Sequence, residues 1–228
     1  MLSIAAFMLS SCFNQDPVVD NQEAEDELNQ MQVIEKYNQV FVRAFGVVAP
    51  YQNWGFDNTY TSSSETDTDG YKFFARIFGE DLNEENLFDF DFNDVVFDVL
   101  IDDNNNAKIR LLAVGCTQEI IVDGHEVHKE FGTSTTTMVN IGAGGMSCAP
   151  VEFEIKGKIQ NLSDVKAIKV MVNKGNEIGY IELLANLGIP AAKIAAQEQI
   201  EWPEEHMVIA EKYPNFIDWI SGSKPIWW

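Results

Sequence analysis

Residues 89–114 read DFDFNDVVFDVLIDDNNNAKIRLLAV and carry the clearest structural signal in the chain. Two apolar runs, Val95–Ile101 and Lys108–Val114, flank the segment Asp102–Asn106, which consists of the Asp and Asn residues typical of turns. Apolar runs of this length on either side of a polar turn indicate β-strands. The stretch therefore predicts two strands joined by a tight connection.

The same pattern of short strands and polar turns continues on both sides of this stretch. Residues 151–156 alternate apolar and polar side chains, as expected for a half-buried strand. No long helix separates the predicted strands, which argues against a parallel βαβ sheet. The predicted class is mainly β, an antiparallel, jelly-roll-like β-sandwich. The predicted strands are Tyr71–Phe78, Val95–Ile101, Lys108–Val114, Glu119–Val122, Thr135–Val139, Val151–Lys156, Ala167–Val172 and Ile178–Leu184.

An amphipathic helix over residues 23–46 is predicted ahead of the strands. Acidic residues crowd its first turn, where they suit the helix dipole, and Gly46 ends it. Its apolar stripe needs a surface to pack on, so we expect the helix to lie on a sandwich domain spanning 47–228. The aromatic-rich end of that domain, from Trp202 onward, is expected to form a cap. The stripe consists of Leu28, Met31, Ile34, Tyr37, Phe41 and Phe45.

The charge balance of the chain is strongly acidic. Asp and Glu number 36 against 15 Lys and Arg, for a formal net charge of -21. A nucleic-acid partner is not expected, because binding to phosphate needs a basic cluster and the sequence has none. Acidity of this kind serves solubility or supplies the carboxylate oxygens that hard divalent cations prefer.

The acidic residues concentrate where no basic residue is near in sequence, since no Lys or Arg occurs between residues 77 and 107. In an extended chain Asp89, Asp91 and Asn93 would share one face, because alternate side chains point the same way. Two carboxylates ~7 Å apart at an effective dielectric near 20 repel by about 2.4 kcal/mol. We therefore predict a calcium ion as counter-charge. The alternative is a solvated edge strand whose charges block pairing.

The N-terminus has the features of an export signal. Residues 1–11 are a short apolar run that ends in small residues, as in a signal peptide. The sequence Leu9-Ser10-Ser11-Cys12 resembles the bacterial lipobox, which implies a lipid on Cys12 and a tether over 12–22. No Lys or Arg precedes the run, which departs from that pattern. In an exported protein Cys116 and Cys148 form either a disulfide or two isolated, buried thiols.

The acidic run resembles the core motif of LruC-type domains, found in lipoproteins of Bacteroidota and in some Leptospira surface proteins. The resemblance rests on 80–82 (EDL) with 89–98 (DFDFNDVVFD), and also on 37–46, 52–56, 192–194, 202–203 and 213–219. It implies a β-sandwich at the outer membrane or cell surface, no established enzymatic activity, and kinship with calcium-dependent surface adhesin modules. The metal ligands it implies are Glu80, Asp81, Asp89, Asp91, Asn93, Asp94 and Asp98.

Two other functions fit the sequence. Trp227 and Trp228 close the chain and could stack on a sugar, which would make the domain a carbohydrate-binding module with a surface glycan as partner. A glycoside hydrolase would need two carboxylates in distinct environments across a groove. The density of the acidic run favours a metal over two separated catalytic roles. We therefore expect a non-enzymatic protein, anchored to the membrane by lipid, with a glycan or protein partner.

Overall fold

The computed structural model describes residues 21–46, 54, 65–82, 88–143, 145–175, 178–185 and 191–228. The predicted signal peptide, Cys12 and the tether up to residue 20 lie outside the described residues. The tether's last two residues, Asn21 and Gln22, already belong to the first helix.

The described strands form two antiparallel sheets. One has five strands in the order β6-β3-β2-β1-β9, and the other has four in the order β5-β4-β7-β8. This arrangement confirms the mainly β, antiparallel class. The strands are β1 Lys72–Gly79, β2 Val95–Ile101, β3 Asn106–Ala113, β4 Ile120–Val122, β5 His125–Glu126, β6 Val151–Lys158, β7 Val170–Asn173, β8 Tyr180–Glu182 and β9 Lys193–Ala196.

Strand β2 lies at the centre of the five-stranded sheet and is buried along its whole length. Its position explains its sequence, because a strand covered on both faces is apolar throughout rather than alternating. Asp98 is its single polar residue, and the register places it opposite Arg76 of β1 and Arg110 of β3. Buried residues of both sheets, including Phe97 and Val172, belong to one hydrophobic core.

Helix α1 spans Asn21–Phe45 and lies on this core through its C-terminal half. Val33, Tyr37, Phe41 and Phe45 are buried and follow one another four residues apart, along one helix face. The predicted stripe was wrong in its first half, because Leu28 and Met31 are 54% and 66% exposed. Gly46 follows the helix at φ +68°, as predicted for its end.

The remaining helices are short, and no helix among the described residues is long and apolar enough to cross a membrane. Two of them, α4 and α5, belong to the C-terminal aromatic segment that packs on the sandwich. These helices are α2 Val127–Glu130, α3 Leu162–Lys166, α4 Ile209–Lys212 and α5 Asn215–Ile220.

Trp227 is fully buried, which corrects its prediction as an exposed stacking residue. Its ring contacts Phe78 of β1 edge-on, and its Nε1 donates to the Ala195 carbonyl of β9 at 2.9 Å. Trp228 is half-buried and lies edge-on against Trp227. The chain end is therefore anchored in the core, where the indole N–H finds a partner.

Several strand predictions differ from the structure. In the predicted strand Thr135–Val139 a turn brings the Thr137 N–H to the Ser134 carbonyl, and only Val139 pairs, in an isolated bridge with Val114. The predicted strand Ala167–Val172 begins only at Val170, and strands β5 and β9 were not predicted at all.

Candidate metal centre

Three chain segments meet at one edge of the five-stranded sheet. Because β1 and β2 are antiparallel, with Gly79 opposite Val95, the residues just after β1 lie beside the residues just before β2. This places Glu80 and Asp81 next to Asp94. The third segment, residues 203–206, comes from the connection that precedes α4. The register of two strands therefore gathers carboxylates that are more than ten residues apart in sequence.

The segment 88–94 does not have the extended backbone assumed from its alternating sequence. Phe88, Phe90 and Phe92 have φ values of +50°, +55° and +56°, in the left-handed region that bulky residues rarely adopt. Each such residue costs roughly 1–2 kcal/mol. Strain of this kind persists where the surroundings enforce it and is concentrated at functional sites.

The aromatic and acidic residues of this segment nevertheless separate as predicted. The Phe rings are buried, and Phe90 contacts the rings of Phe41 and Phe45 on α1. Asp91 and Asn93 turn instead to the 203–206 segment. The rings thus hold the strained backbone in the core, while the carboxylates collect on its other side.

Backbone N–H groups bind several of the carboxylates. Asp94 Oδ2 accepts from the Asp81 N–H at 2.7 Å, and Asp91 Oδ2 accepts from the His206 N–H at 2.8 Å. The amide of Asn93 also donates to Asp91 Oδ2, at 2.8 Å, and to the Pro203 carbonyl, at 3.3 Å. These bonds tie the three segments together and fix the orientation of the carboxylates.

Glu205 and His206 were not foreseen from the sequence. His206 Nδ1 lies 2.6 Å from Asp89 Oδ2 and 3.5 Å from Glu205 Oε1. Glu205 Oε2 is a buried oxygen with no hydrogen-bond partner. Both residues belong to a stretch without a recognisable motif, more than a hundred residues beyond the acidic run, so only the tertiary fold reveals them.

The potential ligand atoms form three groups, two of which share Asp89. Within each group the atoms lie within 4.8 Å of one another, and at least two residues of each group line the same small cavity. That cavity has a volume of about 20 Å³. It exceeds the ~10–15 Å³ needed for a single water molecule, so it suits one water-sized ion and is far too small for a sugar. The groups are Glu80, Asp89 and Asp91; Asp89, Glu205 and His206; and Asp81, Asp94 and Cys116.

The carboxyl groups of this cluster resist ionisation. Burial, followed by the nearby carboxylates of Asp91, Asp89 and Asp81, raises the pKa of Glu80 well above its ordinary value. Burial and the charge of Asp89 raise the pKa of Asp91 to about 8.

The pKa of Asp94 is likewise raised, by burial and then by Asp81 and Glu80, and burial raises that of Glu205 to about 7. A neighbouring positive charge would reverse these shifts.

Among the described residues no lysine or arginine lies within ion-pair distance of Glu80, Asp91 or Asp94. Their exposed fractions are 1%, 1% and 8%. Ionised carboxylates this deeply buried are unstable unless they are paired or coordinate a metal. The cluster therefore either holds protons or holds a cation.

Gly115 shapes the floor of the cluster. Its N–H donates to the carbonyls of Asn93 and Asp94, at 3.1 and 3.2 Å. A Cβ atom at this position would lie 1.9 Å from Asn93 Oδ1, so only glycine fits. That Oδ1 atom is buried and has no hydrogen-bond partner, which leaves its lone pairs available to a ligand.

Asp98 has to be removed from the predicted ligands. Its two carboxylate oxygens bind Arg76 Nε and Nη2, at 2.7 and 3.0 Å, and Gln199 Nε2 also approaches. The counter-charge that appeared to be missing is supplied by the neighbouring strand. The other six predicted ligands border the cluster: Glu80, Asp81, Asp89, Asp91, Asn93 and Asp94.

The disulfide between Cys116 and Cys148 does not form. Both thiols are free, with Cys116 buried beside the acidic cluster and Cys148 exposed. Burial, together with the charges of Asp94 and Asp81, raises the pKa of the Cys116 thiol well above its usual range. Of the two alternatives left open by the sequence, the structure has two separate thiols, of which only Cys116 is buried.

Comparison with known proteins finds no family model, no curated protein and no solved structure that matches this chain. The geometry of the cluster is therefore the basis for the functional argument.

Proposed function

We propose that the acidic cluster binds one calcium ion and that the chain is a non-enzymatic, calcium-binding β-sandwich module. The supporting observation is that Glu80 and Asp94 are buried in the lining of an ion-sized cavity, and that buried Asp91 shares a group of potential ligands with Glu80. None of the three has a lysine or arginine partner among the described residues. A divalent cation supplies the missing charge. Calcium accepts roughly 6–8 oxygen ligands in irregular geometry, which matches a cluster of carboxylates from three segments.

The donor atoms favour a hard cation over zinc. Zinc sites use thiolate and imidazole ligands, whereas six of the eight residues in the three groups are carboxylates. Cys116 and His206 are the sulfur and imidazole donors of these groups, and they belong to different groups, each beside two carboxylates.

In this proposal the ion has a structural role. It adds to the hydrogen bonds that join the end of β1, the strained segment 88–94 and the segment 203–206, and it offsets the repulsion between their carboxylates. Its binding free energy then adds to the free energy of unfolding.

The cellular context is part of the same proposal. The lipobox-like residues 9–12 and the LruC-type motif support a lipoprotein at the outer membrane or cell surface, with a surface glycan or protein as partner. A protein in that setting meets extracellular calcium, for which sites of modest affinity suffice.

Thermal unfolding of the chain that begins after Cys12 tests the calcium site. Calcium at 100 times Kd should add about 2.7 kcal/mol to the free energy of unfolding relative to excess EDTA. Asp91→Asn and Asp94→Asn should abolish this gain, because each removes a ligand charge while keeping the side-chain shape. Asp103→Asn, at a residue whose side chain is 82% exposed, is the matched control and should retain it. An unchanged Tm of the wild-type chain in calcium would refute the proposal.

A further inference from the structure

A second, larger cavity lies on the other side of the 203–206 segment. It is an open cleft of about 550 Å³, within the range of roughly 300–1,000 Å³ typical of small-molecule sites. Trp202 and Pro203 form one wall, and the loop that carries Gly142 and Met146 forms the other. Nothing in the acidic cluster requires this cleft, so its shape needs a separate explanation.

Trp202 is held in a fixed orientation in this wall. Its Nε1 donates to the Asn140 carbonyl at 2.7 Å, and the Arg76 guanidinium lies 5.7 Å from the ring centroid. Asn140 is itself buried, and its side chain donates to the Leu112 carbonyl of β3 and accepts from the Cys148 N–H at the far end of the loop. The half-buried indole is thus a preformed surface, which binds a ligand at a low entropic cost.

The described cations of the cleft are already paired. Arg76 binds Asp98, and Lys212 Nζ lies 3.0 Å from Glu201 Oε2. An anionic ligand would therefore find no unpaired positive charge among the described lining residues and would approach a chain of net charge -21. Glu201 and Glu204 are exposed at the rim, where their carboxylates offer hydrogen-bond acceptors.

We propose that this cleft binds a neutral saccharide of one or two rings. The C–H face of a sugar ring stacks on the indole of Trp202, and its hydroxyl groups donate to Glu201 and Glu204. The volume, the rigid aromatic wall, the acceptors at the rim and the pairing of both described cations all match this class of ligand. The site is distinct from the chain-terminal tryptophans, since Trp227 is buried.

The cleft and the acidic cluster share one segment of chain. The Pro203 carbonyl accepts from Asn93 Nδ2, and the His206 N–H donates to Asp91 Oδ2. A cation in the cluster would hold this segment, and with it the Trp202 wall, in place. We therefore expect calcium to strengthen saccharide binding, a dependence that rests on the proposed function.

The test begins with the fluorescently labelled chain on an array of neutral mono- and disaccharides in excess calcium. The best-bound sugar is then titrated by calorimetry. Trp202→Ala should weaken binding by about tenfold or more, equivalent to ~1.4 kcal/mol.

Gly142 lines the cleft, and a Cβ at this position meets no atom within 4 Å, so Gly142→Leu is expected to be accommodated and to narrow the cleft. Gly142→Ala is its matched control and should bind like the wild type.

The outcomes separate the two proposals. Failure of every neutral sugar to bind, or binding that survives Gly142→Leu and Trp202→Ala, overturns the saccharide site. Capture of peptides but not sugars at the cleft also overturns it. If calcium leaves the Tm unchanged while a sugar still binds at the cleft, the cation proposal fails and the saccharide site stands. If calcium stabilises the chain and no sugar binds, the reverse holds.

Discussion

The acidic cluster and a charged patch on β3 surround their carboxylates with opposite charges. In the patch, Lys108 and Arg110 bind Glu152 at 2.7 and 2.6 Å, and Arg110 also binds Asp67 at 3.0 Å. Burial raises the pKa of Glu152, but hydrogen bonds from Lys108 and Arg110 outweigh it, so that the pKa lies below its ordinary value. In the cluster, burial and like charges act together and the pKa values rise.

The difference shows that the direction of a carboxyl pKa shift depends on where the fold places its few lysine and arginine side chains. With 36 acidic and 15 basic side chains, the chain cannot pair every carboxylate. The five-stranded sheet directs Arg76 to Asp98 and Lys108 and Arg110 to Glu152. Glu80, Asp91 and Asp94 receive no lysine or arginine from the described part of the chain, so their counter-charge has to come from elsewhere or these carboxyl groups have to be protonated.

The largest expected effect is a reversal of pH dependence on adding calcium. A carboxyl group with a raised pKa stabilises the fold fully below its unfolded pKa of about 4 and loses that contribution as the pH rises through its folded pKa. For Asp91 the folded pKa is about 8. A tenfold difference in proton affinity between the folded and unfolded states is worth about 1.4 kcal/mol, so in EDTA the free energy of unfolding should fall by several kcal/mol between about pH 5 and about pH 7.5.

Calcium should reverse this slope, because it competes with protons for the same oxygens. Urea midpoints at several pH values, with EDTA or with calcium, measure both trends. Asp91→Asn should flatten the slope in EDTA, although Glu80, Asp94, Glu205 and His206 still titrate nearby. A chain in EDTA that becomes more stable toward neutral pH would contradict the comparison.

The second-largest effect is expected at the buried ion pair between Arg76 and Asp98. Asp98→Asn leaves the Arg76 guanidinium buried without its carboxylate, and removal of one partner of a buried pair costs about 3–5 kcal/mol. The loss should be equal with and without calcium, as measured by urea unfolding. The double variant Arg76→Met with Asp98→Leu should recover much of it. A loss of calcium affinity in Asp98→Asn would restore Asp98 to the ligands.

The smallest effect is expected in the charged patch. Glu152→Gln should cost less than about 1 kcal/mol, because the Glu152 side chain is 33% exposed and solvent screens its ion pairs. The cost should shrink further in high salt, as seen by the urea midpoint at two ionic strengths. A cost comparable to that of Asp98→Asn would show that burial does not separate the two sites.

The parts of the fold that the sequence predicts are those with local signals. The apolar runs around Asp102–Asn106 gave β2 and β3, and Gly46 marked the end of α1. Strand β9 was missed because Lys193 interrupts a short alanine-rich stretch. In the structure its ammonium group is buried and donates to the carbonyls of Lys166 and Ile168, partners that no local pattern reveals.

The sequence predicts those residues of the candidate site that lie in the acidic run, but not the others. Asp91 and Asp94 belong to a recognisable motif, whereas only the tertiary structure brings Glu205 close to them. Asp98 was assigned wrongly because Arg76 is 22 residues away in sequence yet directly opposite in the β1–β2 register. The acidic run was predicted to be extended, because alternating Phe and Asp residues favour an extended strand. In the structure the packing of the Phe rings imposes a different backbone conformation.

The packing of α1 on the segment 88–94 provides a route by which a pulling force could reach the acidic cluster. Tyr37, Phe41 and Phe45 contact the rings of Phe88 and Phe90 at centroid distances of 5.2–5.7 Å. These phenylalanines alternate along the backbone with Asp89 and Asp91. Tension on the chain ahead of Asn21 would pass along the helix into those rings and so to the carboxylates beside them, and the bond from the Tyr37 hydroxyl to the Ala191 carbonyl, at 2.9 Å, would carry it toward β9. Force on the N-terminus would then weaken cation binding in the cluster, and a bound cation would in turn resist the displacement of α1.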